Sequence, residues 1–252
     1  MDSQSSRSQF VTLPGAIIIA GALIAMAVIW VKQPVRAPAA NQAANLANAQ
    51  LGQINMREVT AADHIYGNPN APIKIIEYSD TSCPFCKTFN STMEQIMGEY
   101  GPTGKVAWIY RHFPLDKPDT NGDILHKNSN HEAQALECAA STGGNDKFWA
   151  FEKKLYEITP SVTSVTPNGL DQQQLPVIAK SVGLNVVSFN DCLASNQFKN
   201  KVEADYTDGV NAGVSGTPYS IIITPSGNKI PLVGAQPYTT VKSAIEALLT
   251  GN

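Results

Sequence analysis

Two cysteines separated by two residues, in Cys83-Pro84-Phe85-Cys86, carry the chemistry this sequence offers most plainly. The thiolate form of cysteine is a nucleophile and a soft metal ligand, so a CxxC pair serves either thiol–disulfide exchange or metal binding. What separates these uses is the local structure. Pro84 suits the first turn of a helix, where its missing N–H is no loss. If a strand ends and a helix begins at this point, Cys83 meets unpaired backbone N–H groups and the positive end of the helix dipole, which lower its pKa. Cys86, one turn further in, is then the more buried thiol, placed to resolve a mixed disulfide. A zinc site needs two further ligands, and Cys138 and Cys192 have no CxxC partner of their own. His64, His112, His126 and His131 are scattered without a shared spacing, so the sequence names no metal ligands and no metal is expected. A copper carrier using the two thiolates with Met93 or Met97 is an alternative, against which both methionines read as core filling on one helical face. An inert structural disulfide is the remaining reading of the motif.

The elements that must position these cysteines follow from hydrophobic periodicity. Residues 73–78, IKIIEY, form a β-rich run behind the turn signal at residues 67–72. After it, Phe85, Phe89, Met93, Ile96, Met97 and Tyr100 recur at threes and fours and predict a helix. Residues 105–110, KVAWIY, predict a second buried strand and complete a βαβ unit. Helical patterns then follow at 131–141, 146–158, 171–182, 186–194 and 196–211, with Phe148, Trp149 and Phe151 as packing residues. Residues 219–224 and 229–233 predict a hairpin around the turn 225–228, with Pro231 suited to an edge strand. A last helix carries Val241, Ile245, Leu248 and Leu249 on one side. The expected fold class is α/β, in the order βαβ, a helical insertion over about 125–211, then ββα.

The chain has 252 residues and a net charge of −3, and lacks the basic face that nucleic acid would require. After a short tail at 1–9, residues 10–31 contain no charge; as a helix they would span roughly 33 Å, enough for a bilayer core. They read as one N-terminal transmembrane anchor. A removable signal peptide is the alternative, since Ala37-Pro38-Ala39 looks like a cleavage site, but the apolar run exceeds the usual length and Lys32 and Arg36 precede that site. Residues 32–58 form a linker, and 59–252 form the folded domain.

The stretch Asp63 to Pro72, followed by Glu77-Tyr78-Ser79-Asp80 and the CxxC, resembles the DsbA-like thiol–disulfide oxidoreductases of the thioredoxin superfamily. So do Arg111-His112-Phe113-Pro114-Leu115, Gly216-Thr217-Pro218 and Gly234-Ala235-Gln236-Pro237. The resemblance covers roughly residues 60–250 and implies a thioredoxin fold with an inserted helical domain. By resemblance Cys83 is the attacking, substrate-linked thiolate and Cys86 its resolving partner, flanking Pro84 and Phe85. Pro218 is similar to the cis-proline facing the CxxC, with Thr217 offering backbone hydrogen bonds to an extended substrate. Glu77 resembles the buried acid that moves the proton of Cys86, and its place in an apolar strand should raise its pKa. Phe85 stands where the family's strong oxidants often carry histidine, which implies a milder oxidant. In an oxidising compartment Cys138 and Cys192 are expected to pair, closing a loop of about 55 residues worth on the order of 4 kcal/mol at most; two separate buried cysteines are the alternative.

The resemblance implies an extracytoplasmic oxidase that donates the Cys83–Cys86 disulfide to unfolded secreted proteins. It implies recycling by a quinone-linked membrane partner and needs no cofactor. A reductase or isomerase of the same fold is the alternative direction.

Overall fold

The computed structural model describes residues 54–118, 120–160 and 169–250. The expected tail, membrane anchor and most of the linker lie outside the described residues. Among those described, no helix is long and apolar enough to cross a membrane.

The strands are β1 (His64–Gly67), β2 (Ile73–Ser79), β3 (Val106–His112), β4 (Tyr219–Ile223) and β5 (Lys229–Val233). They form one sheet in the order β1-β3-β2-β4-β5. Only the β2–β3 pair is parallel, because the helix α1 (Pro84–Tyr100) carries the chain back between them. β1 was not anticipated: its four residues are too short to show a period, and it pairs antiparallel with β3 at the sheet edge. Pro231 lies on β5, the opposite edge, where its missing N–H costs no ladder bond.

Alternation along β2 sorts its side chains between two cores. Ile73 and Ile75 join a cluster with Phe89, Met93, Ile96 and Met97 of α1, so the two methionines are core residues there. Ile76 and Tyr78 join the opposite cluster with Ile109, Phe113 and Met56. A polar residue at position 77 therefore points under α1, into the first core.

The insertion comprises α2 (Ser129–Gly143), α3 (Asn145–Ile158), a short 3-10 turn at Gln172–Gln174, α4 (Leu175–Ser181) and α5 (Val186–Ser195). α6 (Lys199–Asn211) follows it, and α7 (Tyr238–Thr250) ends the fold. The helix predicted from 196 starts later because Asn196 takes a left-handed φ of 53° and caps α5. α6 approaches the sheet closely at Gly209, where a Cβ would lie 2.6 Å from a ring carbon of Phe113 and 2.9 Å from one of Tyr78. Glycine is required there by space.

On this second face β3 contributes Arg111, which is completely buried. Its guanidinium donates to Asp63 Oδ1 at 3.0 Å and Asp208 Oδ2 at 2.8 Å, and to the carbonyls of Arg57 and Glu58. These bonds tie the N-terminal arm and α6 to the sheet, and pairing makes burial of the charge tolerable.

Cys138 of α2 and Cys192 of α5 are joined by a disulfide, their Cα atoms 5.8 Å apart. Replacing both with alanine is expected to lower stability by about 2–4 kcal/mol through the freed unfolded chain. Urea titration checks this; an unchanged midpoint would contradict it.

Candidate functional site

Cys83 is the N-cap of α1, in extended conformation (φ −76°, ψ 122°), with no side chain capping the helix end. The backbone N–H groups of the first turn are thus left for its sulfur. The Cys83 thiol is pushed down to about 6, first by a hydrogen bond from the Cys86 thiol and, against its own burial, by Thr217 and the backbone N–H groups of Cys86 and Phe85. The Cys83 thiol donates to the carbonyl oxygen of Thr217 at 3.5 Å, and the buried Thr217 hydroxyl has no hydrogen-bond partner among the described residues. The Thr217–Pro218 bond is cis. Cys86, completely buried, moves the opposite way: burial and the neighbouring Cys83 charge push its thiol well up.

Glu77 lies beneath the pair. β2 places it between Tyr110 of β3 and Ser220 of β4, and 1% of it is exposed. Ser79 Oγ donates to one carboxylate oxygen at 2.7 Å and Trp108 Nε1 to the other at 2.9 Å. Burial wins over these bonds and raises its carboxyl to about 7. A carboxyl at this value can both give and take a proton at neutral pH.

Asp80, with no role in the sequence reading, holds the loop between β2 and α1. Its carbonyl accepts from Cys83 N–H at 3.1 Å and its N–H donates to Cys86 Sγ at 3.5 Å. Its carboxylate accepts from the N–H groups of Ser82 and Leu115, each at 2.7 Å, and meets His126 Nδ1 at 3.0 Å. The insertion grips the same loop through Glu132, which accepts from Thr81 Oγ1 at 2.7 Å and Ser82 Oγ at 3.0 Å. His126 precedes α2, and its imidazole is raised, against burial, by Asp80 and by the Cys83 charge. That interaction is mutual, so His126, when protonated, favours the Cys83 thiolate as Phe85 cannot. No local sequence signal identifies His126, since it reaches Asp80 across 46 positions.

Phe85 is 65% exposed, the one large apolar side chain of the motif open to solvent. Val233, 59% exposed, ends β5 opposite Tyr219, next to Pro218, whose carbonyl accepts from Gly234 N–H at 3.0 Å. Of the other histidines, His131 is exposed, whereas His64 and His112 converge on Glu137 Oε1 at 2.9 and 2.8 Å. The donor atoms of His112, Glu137 and Asp205 lie close enough together to hold a metal ion. Lys201 Nζ, 3.1 Å from Glu137 and 3.6 Å from Asp205, already supplies a cation there.

Residues 59–247 match the thioredoxin family model, and the chain belongs to that family. Among solved structures it is similar to oxidised BdbD from Bacillus subtilis (TM-score 0.64, 23% identity, covering 79% of this chain and 98% of that one). It is equally similar to alpha-DsbA1 of Wolbachia pipientis (TM-score 0.64, 24% identity, 77% and 94% covered). Both show the fold. Among curated proteins it is 29% identical over 155 residues to a probable disulfide bond formation protein D of Bacillus anthracis, covering 60% of this chain and 65% of that protein. It is 27% identical over 158 residues to the Na(+)/H(+) antiporter NhaA 1 of Mycobacterium sp. (strain KMS); the match takes 62% of this chain but spans 22% of the antiporter's length.

Two outcomes follow from this geometry. His126→Gln should make the Cys83–Cys86 disulfide about three- to tenfold harder to reduce at equilibrium with glutathione, because the thiolate loses a nearby positive charge. An unchanged equilibrium constant would remove His126 from the site's electrostatics. For Glu77 the folded state binds the proton more tightly than the unfolded state, so its contribution to stability falls as pH rises from about 4.5 through about 7. Glu77→Gln should therefore melt higher than wild type above about pH 8 and gain nothing near about pH 4, as read by calorimetry.

Proposed function

We propose that this protein is a membrane-anchored, extracytoplasmic thiol–disulfide oxidase that donates its Cys83–Cys86 disulfide to the thiols of unfolded secreted proteins. The observation that carries this reading is the opposed charge preference of the two sulfurs, with Cys83 lowered to about 6 and Cys86 pushed up above a carboxyl poised near 7. A thiolate stabilised in the reduced protein makes the disulfide an oxidant. The relative named a probable disulfide bond formation protein D supports the same activity. The uncharged run at 10–31 supports an anchor, and the Cys138–Cys192 bridge supports an oxidising compartment.

A substrate thiolate attacks Cys83 Sγ; the Cys83–Cys86 bond breaks as the mixed disulfide forms, and Cys86 leaves with the electron pair. Glu77 gives that sulfur its proton, because a buried thiolate with no cation beside it is costly. A second substrate thiolate then attacks the substrate sulfur. The substrate disulfide forms and Cys83 departs as a thiolate, a good leaving group because its pKa is low. The substrate dithiol loses two electrons and the Cys83–Cys86 disulfide gains them, becoming the dithiol. Recycling passes them to a membrane partner linked to quinone, in keeping with the family resemblance. Phe85 and Val233 offer apolar contact to an unfolded chain, and the Thr217 backbone offers hydrogen bonds to an extended segment.

The oxidised full-length chain should form one disulfide per molecule in a reduced dithiol peptide, and Cys83→Ala should form none. Its reduction potential is expected between about −120 mV, that of the strong oxidant DsbA, and about −270 mV, that of thioredoxin. A value at the thioredoxin end would overturn the oxidase direction in favour of a reductase.

A further inference from the structure

Protonating Cys86 leaves Glu77 as a buried carboxylate that must recover a proton before the next turnover, and its own hydrogen bonds lead to no solvent-exposed acid. Ser79 Oγ, bound to Glu77, lies 2.9 Å from Tyr156 OH, which is 3.4 Å from Tyr110 OH. All four groups are buried.

A second buried carboxyl lies on the same helix as Tyr156. Glu152 is 2% exposed and sits one turn before Tyr156 on α3, so the two share a face. Asn90 of α1, itself buried, donates to Glu152 Oε1 at 2.5 Å. Burial comes first in pushing its carboxyl well up, with the charges of Glu77 on β2 and Glu94 on α1 adding to it, against Asn90 and Lys153. Tyr110 of β3 feels both Glu152 and Glu77, and Tyr156 does too. The charge of Glu77 thus reaches Glu152 and both tyrosines.

Buried as it is, Glu152 borders an opening in the surface. It lines a cavity of about 430 Å³, open to solvent, together with Tyr66 of β1, Glu94, Trp108, Asp146, Trp149 and Lys153. Trp108, on the same wall, donates its indole N–H to Glu77. Trp149, whose buried indole N–H has no acceptor among the described residues, lines the cavity beside it.

We propose that Glu152 is the second proton-transferring group of the exchange reaction, carrying protons between Glu77 and water in this cavity. After Glu77 has protonated the departing Cys86 sulfur, the Glu152 carboxyl gives its proton to the Glu77 carboxylate and recovers one from cavity water. Reoxidation of the dithiol runs the transfer in reverse. No electrons move in this step, and the net result is one proton taken from solvent for each Cys86 protonated. The inference rests on the thiol oxidase reading above.

The test is the pH profile of dithiol-peptide oxidation by the full-length chain. Glutamine mimics a neutral carboxyl in shape, charge and its hydrogen bond to Asn90, so Glu152→Gln removes little except the transferable proton. Its rate should fall about fivefold near pH 8 and less than about twofold near pH 5.5, where protons from water reach Glu77 without a carrier. Glu152→Asp should restore more than half of the loss, and the melting temperature of Glu152→Gln near about pH 4, where the wild-type carboxyl is protonated folded or unfolded, should match wild type. The carboxyl bands of the reduced-minus-oxidised infrared spectrum should include one lost in Glu152→Gln. Rates equal to wild type at every pH, or a loss of the same size at every pH, would overturn the role of Glu152 while leaving the oxidase reading intact. A wild-type chain that oxidises no dithiol peptide would overturn both.

Discussion

Two sulfurs three residues apart on one helix must prefer opposite charge states, and the rest of the site is arranged around that constraint. Cys83 takes the end of α1, where peptide N–H groups have no other partner. Cys86 takes the next turn inward, sealed from solvent. The asymmetry follows from helix geometry, which sets the Cys86 thiol to donate to Cys83 and leaves the backbone N–H groups of Cys86 and Phe85 to it as well. It needs the helix to begin at Pro84, and that depends on the loop before it.

Asp80 holds this loop. Its backbone reaches both cysteines, while its carboxylate binds Ser82, Leu115 and His126, so the end of β2, the segment after β3 and the insertion meet at one residue. Glu132 makes a second connection to the insertion through Thr81 and Ser82. The insertion thus does more than cover the sheet: α2 grips the active loop and α3 supplies Tyr156 and Glu152 below it. The Cys138–Cys192 bridge joins α2 to α5 and braces the helix that carries Glu132.

Much of this was legible in the sequence where the signal is local. The β2 run, the periodic apolar face of α1 and the hairpin around residues 225–228 each declare themselves within a short local stretch, and Pro231 marks its strand as an edge. The CxxC lies at the strand–helix junction that its chemistry requires. The strand β1 escaped because four residues carry no periodicity, and β3 runs on to His112 although Arg111 looks like a surface charge. Arg111 becomes a core residue only once Asp63, Tyr78 and Asp208 arrive from distant parts of the chain. His126, Asp80 and Glu152 escaped for the same reason: each acts through a partner whose nearness is a property of the fold. The histidines that look scattered include two that converge on Glu137.

The measurement that bears most directly on this account is the rate of alkylation of the fully reduced, full-length chain as a function of pH. The geometry predicts a fast-reacting thiol, Cys83, titrating near 6, while Cys86 stays unreactive through neutral pH. A single transition at about 8.5, the value of a free cysteine, would show that the amides of α1 do not stabilise the thiolate and would contradict the account at its root.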